Sequence, residues 1–278
     1  MKKNILLWIV AFVLTLAVAV YQRVTGPTYP ISGKVEFAGE EIKYKLLRTH
    51  EGTTSHKVEI EVKNPQVSAE LVWKRFKSHD DWTISEMERN ENKLSASFPG
   101  QPAAGKIIYF INLHDGKSSK IIPEDKDVVL RFKGAVPIAI LIIHVIAMFG
   151  AMLLSTRTGL EIFNSGNTYL KLTYWTIGFL FIGGLILGPI VQKYAFDAFW
   201  TGFPFGYDLT DNKTGIALIG WVIALFAFKK SKNPRRIALI AALILIVVYL
   251  IPHSVLGSEI DYTKLENSKA LIEKNINE

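Results

Sequence analysis

The chain has 278 residues, of which 49% are hydrophobic and 21% charged, and its formal net charge is +7. It contains no cysteine, which excludes disulfides, thiolate metal sites, cysteine nucleophiles and covalent c-type haem attachment through this chain. Long apolar runs lie before residue 22 or after residue 134, and the strongest basic cluster adjoins one of them. Orientation in a bilayer therefore explains the positive charge better than binding to nucleic acid.

The first apolar stretch, residues 5–21, is close to the length of a membrane helix. A helix needs about 20 apolar residues to cross about 30 Å of hydrocarbon. Lys2 and Lys3 precede the stretch and small residues stand at 17–19, which is typical of a cleavable signal peptide. An uncleaved signal anchor begins in the same way, and we favour an anchor over residues 1–26 because it can pack against further helices. Either interpretation sends the following residues across the membrane.

Residues 27–134 show the alternation of half-buried strands. Val58, Ile60 and Val62 alternate with acidic residues, and similar runs occur at 42–46, 70–76, 94–98, 107–113 and 128–132. Turn-forming residues separate these runs. About seven to nine short strands at this spacing predict an all-β sandwich.

One part of this region resembles fibronectin type III and immunoglobulin-like modules. The resemblance rests on LVWKRF at 71–76, WTI at 82–84, Met87, the run 94–99, Gly105 and IYF at 108–110. It implies a sandwich with Trp73 as its buried core aromatic, and the lack of a cysteine pair favours the fibronectin type. Such a module binds or positions a partner. The four histidines of the region are expected at the surface: His50, His56, His79 and His114.

The second part of the chain, residues 135–253, predicts a four-helix transmembrane bundle. Its apolar stretches are 136–154, 172–191, 214–228 and 237–251, the last two being short. The loop 229–236 holds five basic and no acidic residues, whereas the loop 192–213 and the tail 254–278 are acidic. With the N-terminus inside, five crossings satisfy the positive-inside rule. We therefore expect a bacterial cytoplasmic (inner) membrane protein with a cytoplasmic N-terminus and an extracytoplasmic β-domain and C-terminal tail.

Two histidines are the candidate functional residues of this bundle. His144 lies within the second apolar stretch and His253 at the outer end of the fifth, and ionisable residues in a membrane are functional candidates by default. Between them lies an outer loop, 192–214, that is dense in aromatic residues and glycine. Asp211 or Asn212 is expected to cap the helix that follows this loop.

The outer loop resembles the tryptophan-rich (WWD) proteins that handle haem during cytochrome c maturation. The resemblance rests on FWTG at 199–202 and DLTDNKT at 208–214, followed by an apolar helix and flanked by His144 and His253. It implies a b-type haem whose iron is ligated by the two histidines, with Trp200, Asp208 and Asp211 completing the cofactor site. From the residues alone, an interfacial belt of aromatics and a hydrogen-bonded packing histidine are favoured.

The sequence as a whole predicts an α-helical membrane bundle of about five transmembrane helices with an inserted all-β extracytoplasmic sandwich. This layout also resembles a bacterial membrane protein family with a sandwich between the first and second helices. Motifs of serine hydrolases, zinc proteases and P-loop proteins are absent from the sequence. We predict a protein without evident catalytic activity, an accessory, assembly or scaffold subunit of an envelope complex whose sandwich binds a protein partner. The alternative is a haem-binding or haem-handling membrane protein.

Overall fold

The computed structural model describes residues 2–252, 255 and 257–268, which form two compact units. The helical unit takes in the chain up to Pro27 and residues 136–258. The β unit takes in residues 28–135 and the chain from Glu259 onward. The two ends of the β region are therefore joined to helices, while part of the predicted C-terminal tail belongs to the β unit.

The described part of the helical unit contains six α-helices: α1 Lys2–Thr25, α2 Ile138–Gly159, α3 Thr168–Leu180, α4 Gly188–Phe196, α5 Leu209–Phe228 and α6 Pro234–Leu250. A 3-10 turn, Leu160–Phe163, extends α2, and a π-helical segment, Phe181–Leu187, joins α3 to α4. The helical stretch is continuous from Thr168 to Phe196, and its π-helical segment contains Gly183 and Gly184.

Four helical stretches are long and apolar enough to cross a membrane: Lys2–Thr25, Ile138–Phe163, Thr168–Phe196 and Leu209–Phe228. They coincide with the first four of the five predicted stretches. The fifth stretch is covered by α6, which has 17 residues. That is fewer than the about 20 residues that cross the hydrocarbon core, so the fifth crossing stays a prediction.

Helix α1 packs into the helical unit along one stripe. Its buried residues follow each other at intervals of three or four: Leu7, Ala11, Thr15 and Val18. The side-chain amide of Gln22 donates a hydrogen bond to the carbonyl oxygen of Tyr249. The first helix is thus an integral member of the bundle.

Small residues line much of the remaining helix packing. The buried set includes Ala151, Ala217, Ala224, Ala238, Ala241 and Ala242. Small side chains let helix backbones approach closely, as they do in membrane bundles. Among the larger residues of this cluster, Trp221 is fully buried and donates from Nε1 to the Ser155 hydroxyl oxygen at 3.1 Å.

The β unit contains eleven strands in the described residues: β1 Ile31–Phe37, β2 Glu40–Leu46, β3 Thr49–Glu51, β4 His56–Glu61, β5 Ser68–Arg75, β6 Thr83–Glu86, β7 Glu88–Asn90, β8 Lys93–Phe98, β9 Lys106–His114, β10 Ser119–Ile122 and β11 Val128–Lys133. They form a hairpin, β1-β2, a six-stranded sheet and a three-stranded sheet, β4-β8-β7. The six-stranded sheet has the order β3-β11-β9-β5-β6, with β10 also paired to β9. Only the β3-β11 pair is parallel among the pairs of the described strands.

One apolar core joins the three sheets, and the arrangement fits a β-sandwich. Strand β9 shows the predicted alternation. Its inward-facing residues, among them Ile107 and Ile111, are fully buried, and the residues between them are half-buried. Trp73, expected as the buried core aromatic, is only half-buried against this core. The fully buried large aromatics are Phe98, Tyr109 and Phe132.

The structure corrects the expectation for one histidine. His56 is 7% exposed, and its Nδ1 lies 3.1 Å from Nδ1 of His50. Burial, with a smaller contribution from His50, lowers the pKa of His56 to about 4. His56 is therefore a neutral core residue at pH 7, and the prediction of a surface residue is wrong at this position.

The C-terminal segment, residues 259–268, packs onto the β unit. The backbone N–H of Ile260 donates to the Ala104 carbonyl at 3.1 Å, and the carboxylate of Glu259 pairs with the ammonium groups of Lys77 and Lys106. Further along, Tyr262 lies with its ring beneath the guanidinium of Arg75 and donates its hydroxyl hydrogen to Gln101. These contacts anchor the segment to the ends of β5 and β9.

Candidate functional site

The outer loop between α4 and α5 is built around the first turn of α5. Asp208 caps the helix, since its Oδ1 accepts from the backbone N–H of Thr210 at 2.7 Å. Asp211 and Asn212 lie within the first turn, so the expectation that one of them is the cap is wrong. Asp208, three residues before Asp211, takes that role because the helix begins earlier, at Leu209.

Asp211 and Asn212 bind the backbone of the loop instead. Oδ2 of Asp211 accepts from the N–H groups of Thr201 at 2.7 Å and Gly202 at 3.0 Å. Oδ1 of Asn212 accepts from the N–H of Phe203 at 2.7 Å. A Cβ atom on Gly202 would lie 2.7 Å from Cβ of Asp211, which explains the glycine. The first turn of α5 thus holds the loop in one conformation.

The Thr201 hydroxyl joins four polar side chains beneath the loop. Gln192 donates to Thr201 Oγ1 at 2.6 Å, and the same oxygen lies 3.2 Å from Asp208, 3.4 Å from Asp211 and 2.8 Å from Ser258. Asp208 also accepts from the backbone N–H of Ser258 at 2.9 Å. Gln192 and both aspartates are buried. Both oxygens of Asp208 and Oδ2 of Asp211 therefore accept hydrogen bonds within the protein.

The aromatic side chains of the loop point away from this buried network. Phe199 is 60% exposed, and three further residues are more exposed still: Phe203 at 76%, Phe205 at 82% and Tyr207 at 90%. Trp200 is half-buried and donates from Nε1 to the Phe203 carbonyl at 3.1 Å. The aromatic rings of the loop are thus exposed, and its polar side chains are buried beneath them.

His144 lies on α2 and contacts the π-helical segment. Its Nδ1 is 3.0 Å from the Gly183 carbonyl oxygen, which also accepts from the backbone N–H of Gly188. Since a carbonyl oxygen only accepts, Nδ1 carries a proton, and in a neutral imidazole of this tautomer the lone pair is on Nε2. A hydrogen bond of this kind orients the ring and raises the basicity of Nε2.

His144 lies below the polar network of the outer loop. Gly188 is beside the His144 ring, since a Cβ atom there would be 3.9 Å from Cε1. Gln192 stands four residues further along α4, which is about 6 Å along the axis. His253, the second predicted ligand, lies outside the described residues. The structure therefore places His144, Trp200, Asp208 and Asp211 at one end of the bundle without testing the predicted histidine pair.

The helices around His144 are closely packed. A Cβ atom on Gly183 would lie 2.9 Å from both Ala147 Cβ and Met148 Sδ. One on Gly184 would lie 2.4 Å from Thr214 Cγ2. The interhelical space on this side of His144 has no room for a porphyrin, so a haem iron would have to approach Nε2 from another direction.

A second buried polar network, formed around Arg157 and Glu161, was not recognised from the sequence. Arg157 and Glu161 are 1% and 0% exposed and form an ion pair at 2.5 Å. The guanidinium also donates to the Asn4 side chain and lies 5.4 Å from the ring of Trp8, both on α1. The spacing of four residues along one helix was the signal that would have revealed the pair.

Lys213 is a further buried cation that was counted as a loop charge. It lies on α5, is 8% exposed, and donates from Nζ to the Ile251 carbonyl at 2.9 Å. It thereby ties the start of α5 to the end of α6. In the described part of the chain, no group of three histidine, aspartate or glutamate side chains is arranged to hold a metal ion.

Comparison of the sequence with protein-family models and with curated proteins finds no match.

Proposed function

We propose that the chain is an integral protein of the bacterial cytoplasmic membrane that serves as an accessory, assembly or scaffold subunit of an envelope complex. Four helices of spanning length support insertion in a bilayer. The basic connection between α5 and α6 supports a cytoplasmic position for that loop and an outer position for the β unit. With α6 as the fifth crossing, the C-terminal segment lies on the same side as the β unit.

The observation that carries this proposal is an apolar surface on the outward face of the six-stranded sheet. Trp82 is 41%, Ile121 48% and Ile84 62% exposed. The opposite face of the same sheet packs against the apolar core. An antiparallel sheet with one face on a core normally carries polar residues on its other, solvent-exposed face. Exposed apolar patches rimmed by polar residues mark interaction sites. The β unit therefore binds a protein partner, and the bundle anchors it.

Crosslinking in living cells tests this proposal. A photoreactive amino acid replaces Ile84 or Ile121 in the full chain, and Glu36 on β1, which is also exposed, is the control position. We expect a discrete protein adduct at the first two positions, identified by mass spectrometry, and none at Glu36. Adducts to lipid alone, or an equal set of adducts at all three positions, would rule out a partner on this face.

The second candidate function is haem binding, which the hydrogen bond from His144 Nδ1 to the Gly183 carbonyl favours. Nδ1 is held by a carbonyl and Nε2 keeps its lone pair, which is the arrangement of an axial ligand. An absorption spectrum of the detergent-purified protein, oxidised and reduced, tests it. A Soret band that is lost in His144→Ala and in His253→Ala supports haem binding. A protein that is colourless even after haem addition excludes it.

A further inference from the structure

Strand β6 has a free edge. In the described part of the chain its only sheet neighbour is β5, so the other side of β6 is unpaired. Free edges expose backbone N–H and C=O groups that pair readily with an extended segment of another chain. We call residues 81–88 the β6 edge. They contain β6, the residues on either side of it and the first residue of β7, Glu88, which is paired to β8.

The register shows which backbone groups lie on the free side. The N–H of Met87 donates to the Ala69 carbonyl at 2.8 Å, and Ser85 is opposite Leu71. Hydrogen-bonded and non-hydrogen-bonded positions alternate along an antiparallel pair. Ser85 therefore bonds to β5, and the N–H and C=O groups of Ile84 and Glu86 point outward from the sheet edge. They are spaced to pair with one added strand.

The side chains beside these groups are apolar at one end and acidic at the other. Trp82, Ile84 and Glu86 are every second residue along the edge, so their side chains lie on the same face of the sheet. The Trp82 ring lies 5.4 Å from that of Phe110, and the Lys74 ammonium lies 5.1 Å from the Trp82 ring. The edge therefore continues the exposed apolar face of the sheet.

The β6 edge is uniformly acidic. It contains Asp81, Glu86 and Glu88, all exposed, and no basic residue. In the described part of the chain these three carboxylates form no ion pair at 4.0 Å or less. Their negative charge is therefore available to a partner.

A polar groove of about 640 Å³ runs beside the β6 edge, and its basic residues are already engaged. Lys57 and Lys93 both pair with Glu59, at 3.3 and 2.7 Å. Arg89 donates to backbone carbonyls, among them that of Val62 at 2.8 Å. The groove adds room for side chains of an added strand, and its uncompensated charge comes from Glu86 and Glu88.

We propose that the β6 edge binds an extended, basic segment of a protein partner, which adds to the six-stranded sheet as a further strand. The inference rests on the proposed function and names its site. Main-chain hydrogen bonds to Ile84 and Glu86 supply the pairing. Apolar residues of the segment lie beside Trp82 and Ile84, and lysine or arginine residues lie beside Glu86 and Glu88.

The negative charge of the β6 edge favours a basic segment over a second copy of the chain or a lipid surface. Two copies of the chain joined edge to edge would bring carboxylates together, and like charges on adjacent strands are destabilising. An anionic lipid surface would be repelled by the same three carboxylates. A basic extended segment is the partner for which both the backbone and the charges are complementary.

Selection from an unbiased library tests the proposal without knowledge of the partner. Phage-displayed random heptapeptides are selected on the detergent-solubilised full chain, and the recovered peptides are synthesised with a fluorescent label. We expect recovered peptides in which apolar residues alternate with others and lysine or arginine is enriched. Their dissociation constants are measured by fluorescence anisotropy.

Three variants localise the binding. Ile84→Pro removes an outward N–H at an edge position where proline is tolerated, and it should abolish binding. Glu86→Lys/Glu88→Lys should weaken binding at least tenfold. The control Glu36→Lys/Asp125→Lys makes the same change in net charge at exposed residues elsewhere and should leave binding unchanged. Thermal unfolding shows that each variant is folded.

Either of two results would overturn the proposal: recovery of no basic peptide, or binding that persists in both β6-edge variants. A concentration-dependent dimer that Ile84→Pro disrupts, in the absence of peptide binding, would assign the edge to a second copy. In either case a protein adduct at Ile121 in cells would leave the proposed function standing, because that position is on a different strand of the same face. If neither peptide binding nor the adduct at Ile121 is found, the binding site at the β6 edge and the proposed function are both rejected.

Discussion

At the scale of single residues, the ion pair of Arg157 and Glu161 connects the end of α2 with α1. Both side chains are fully buried, and the guanidinium also contacts Asn4 and Trp8. Removing one member of a buried pair leaves an uncompensated charge, whereas replacing both by apolar residues is often neutral. The ionic contact between α1 and α2 therefore requires both charged side chains.

This asymmetry predicts the outcome of single and double substitutions. Glu161→Leu should lower the free energy of unfolding in detergent by about 3–5 kcal/mol. Arg157→Met/Glu161→Leu should recover most of that loss. Thermal or denaturant unfolding of the purified proteins measures both. A double variant that is less stable than the single one would show that the ionic network contributes net stability.

His56 makes the stability of the β unit depend on pH. The pKa of His56 is about 4 in the fold against about 6.5 in the unfolded chain, so the unfolded state binds more protons between these values. Stability should therefore fall as the pH falls from about 6.5 towards 4, by about 1–3 kcal/mol. Pulse proteolysis in urea at pH 7 and pH 5 measures the change.

The control for this pH effect is a second histidine in the same unit. His56→Gln should remove most of the loss of stability between pH 7 and pH 5, while His79→Gln, at an exposed position, should retain it. An identical pH profile in wild type and His56→Gln would contradict the assignment of the effect to His56.

At the scale of elements, the π-helical segment Phe181–Leu187 determines how α2, α3 and α5 pack. Gly184 faces Thr214 on α5 so closely that a Cβ atom would lie 2.4 Å from Cγ2, whereas nothing lies within 4 Å of a Cβ atom on Gly178. Both glycines belong to the same continuous helical stretch, so the difference is one of tertiary packing.

The two glycines provide a matched pair of alanine substitutions. Gly184→Ala should destabilise the bundle by about 1–3 kcal/mol because a well-packed contact is overfilled. Gly178→Ala should be neutral or stabilise by up to about 1 kcal/mol through helix propensity. Thermal unfolding in detergent ranks the two. Equal melting temperatures would show that the helices separate easily at Gly184.

At the scale of the whole molecule, the proposed topology is testable because the chain has no cysteine of its own. Ser231→Cys lies in the basic connection between α5 and α6, and Ser97→Cys is exposed on β8. In cells with a permeabilised outer barrier and an intact cytoplasmic membrane, a membrane-impermeant maleimide should label the β8 position only. Detergent lysis should expose both. Labelling of Ser231→Cys in intact membranes would invert the topology.

The packing of α1 also predicts that this helix stays attached to the mature protein. Removal of the first segment would delete Asn4, Trp8 and the buried stripe of α1. The intact mass and the N-terminal peptides of the purified protein should therefore show that residues 4–18 are retained. A shorter chain beginning near residue 20 would show that the segment is a cleaved signal peptide.

The sequence by itself determined the features that depend on neighbouring residues. Long apolar runs predicted the four stretches of spanning length, and the alternation at 58–62 and 107–113 predicted strands of a β region, because hydrophobic periodicity is a local property. The outer loop was also recognisable as a candidate site, since its aromatics, Asp208 and Asp211 are close in sequence.

Only the tertiary structure decided which distant residues meet. Arg157 reaches Asn4, Asp208 binds Ser258 and Glu259 pairs with Lys106, each across many intervening residues. The same holds for Trp73 and His56, whose burial depends on the neighbouring sheets. The physical reason is that burial and pairing are set by long-range packing. The neighbouring residues in the sequence indicate the type of helix or strand. They do not determine which distant residues pack against a given side chain.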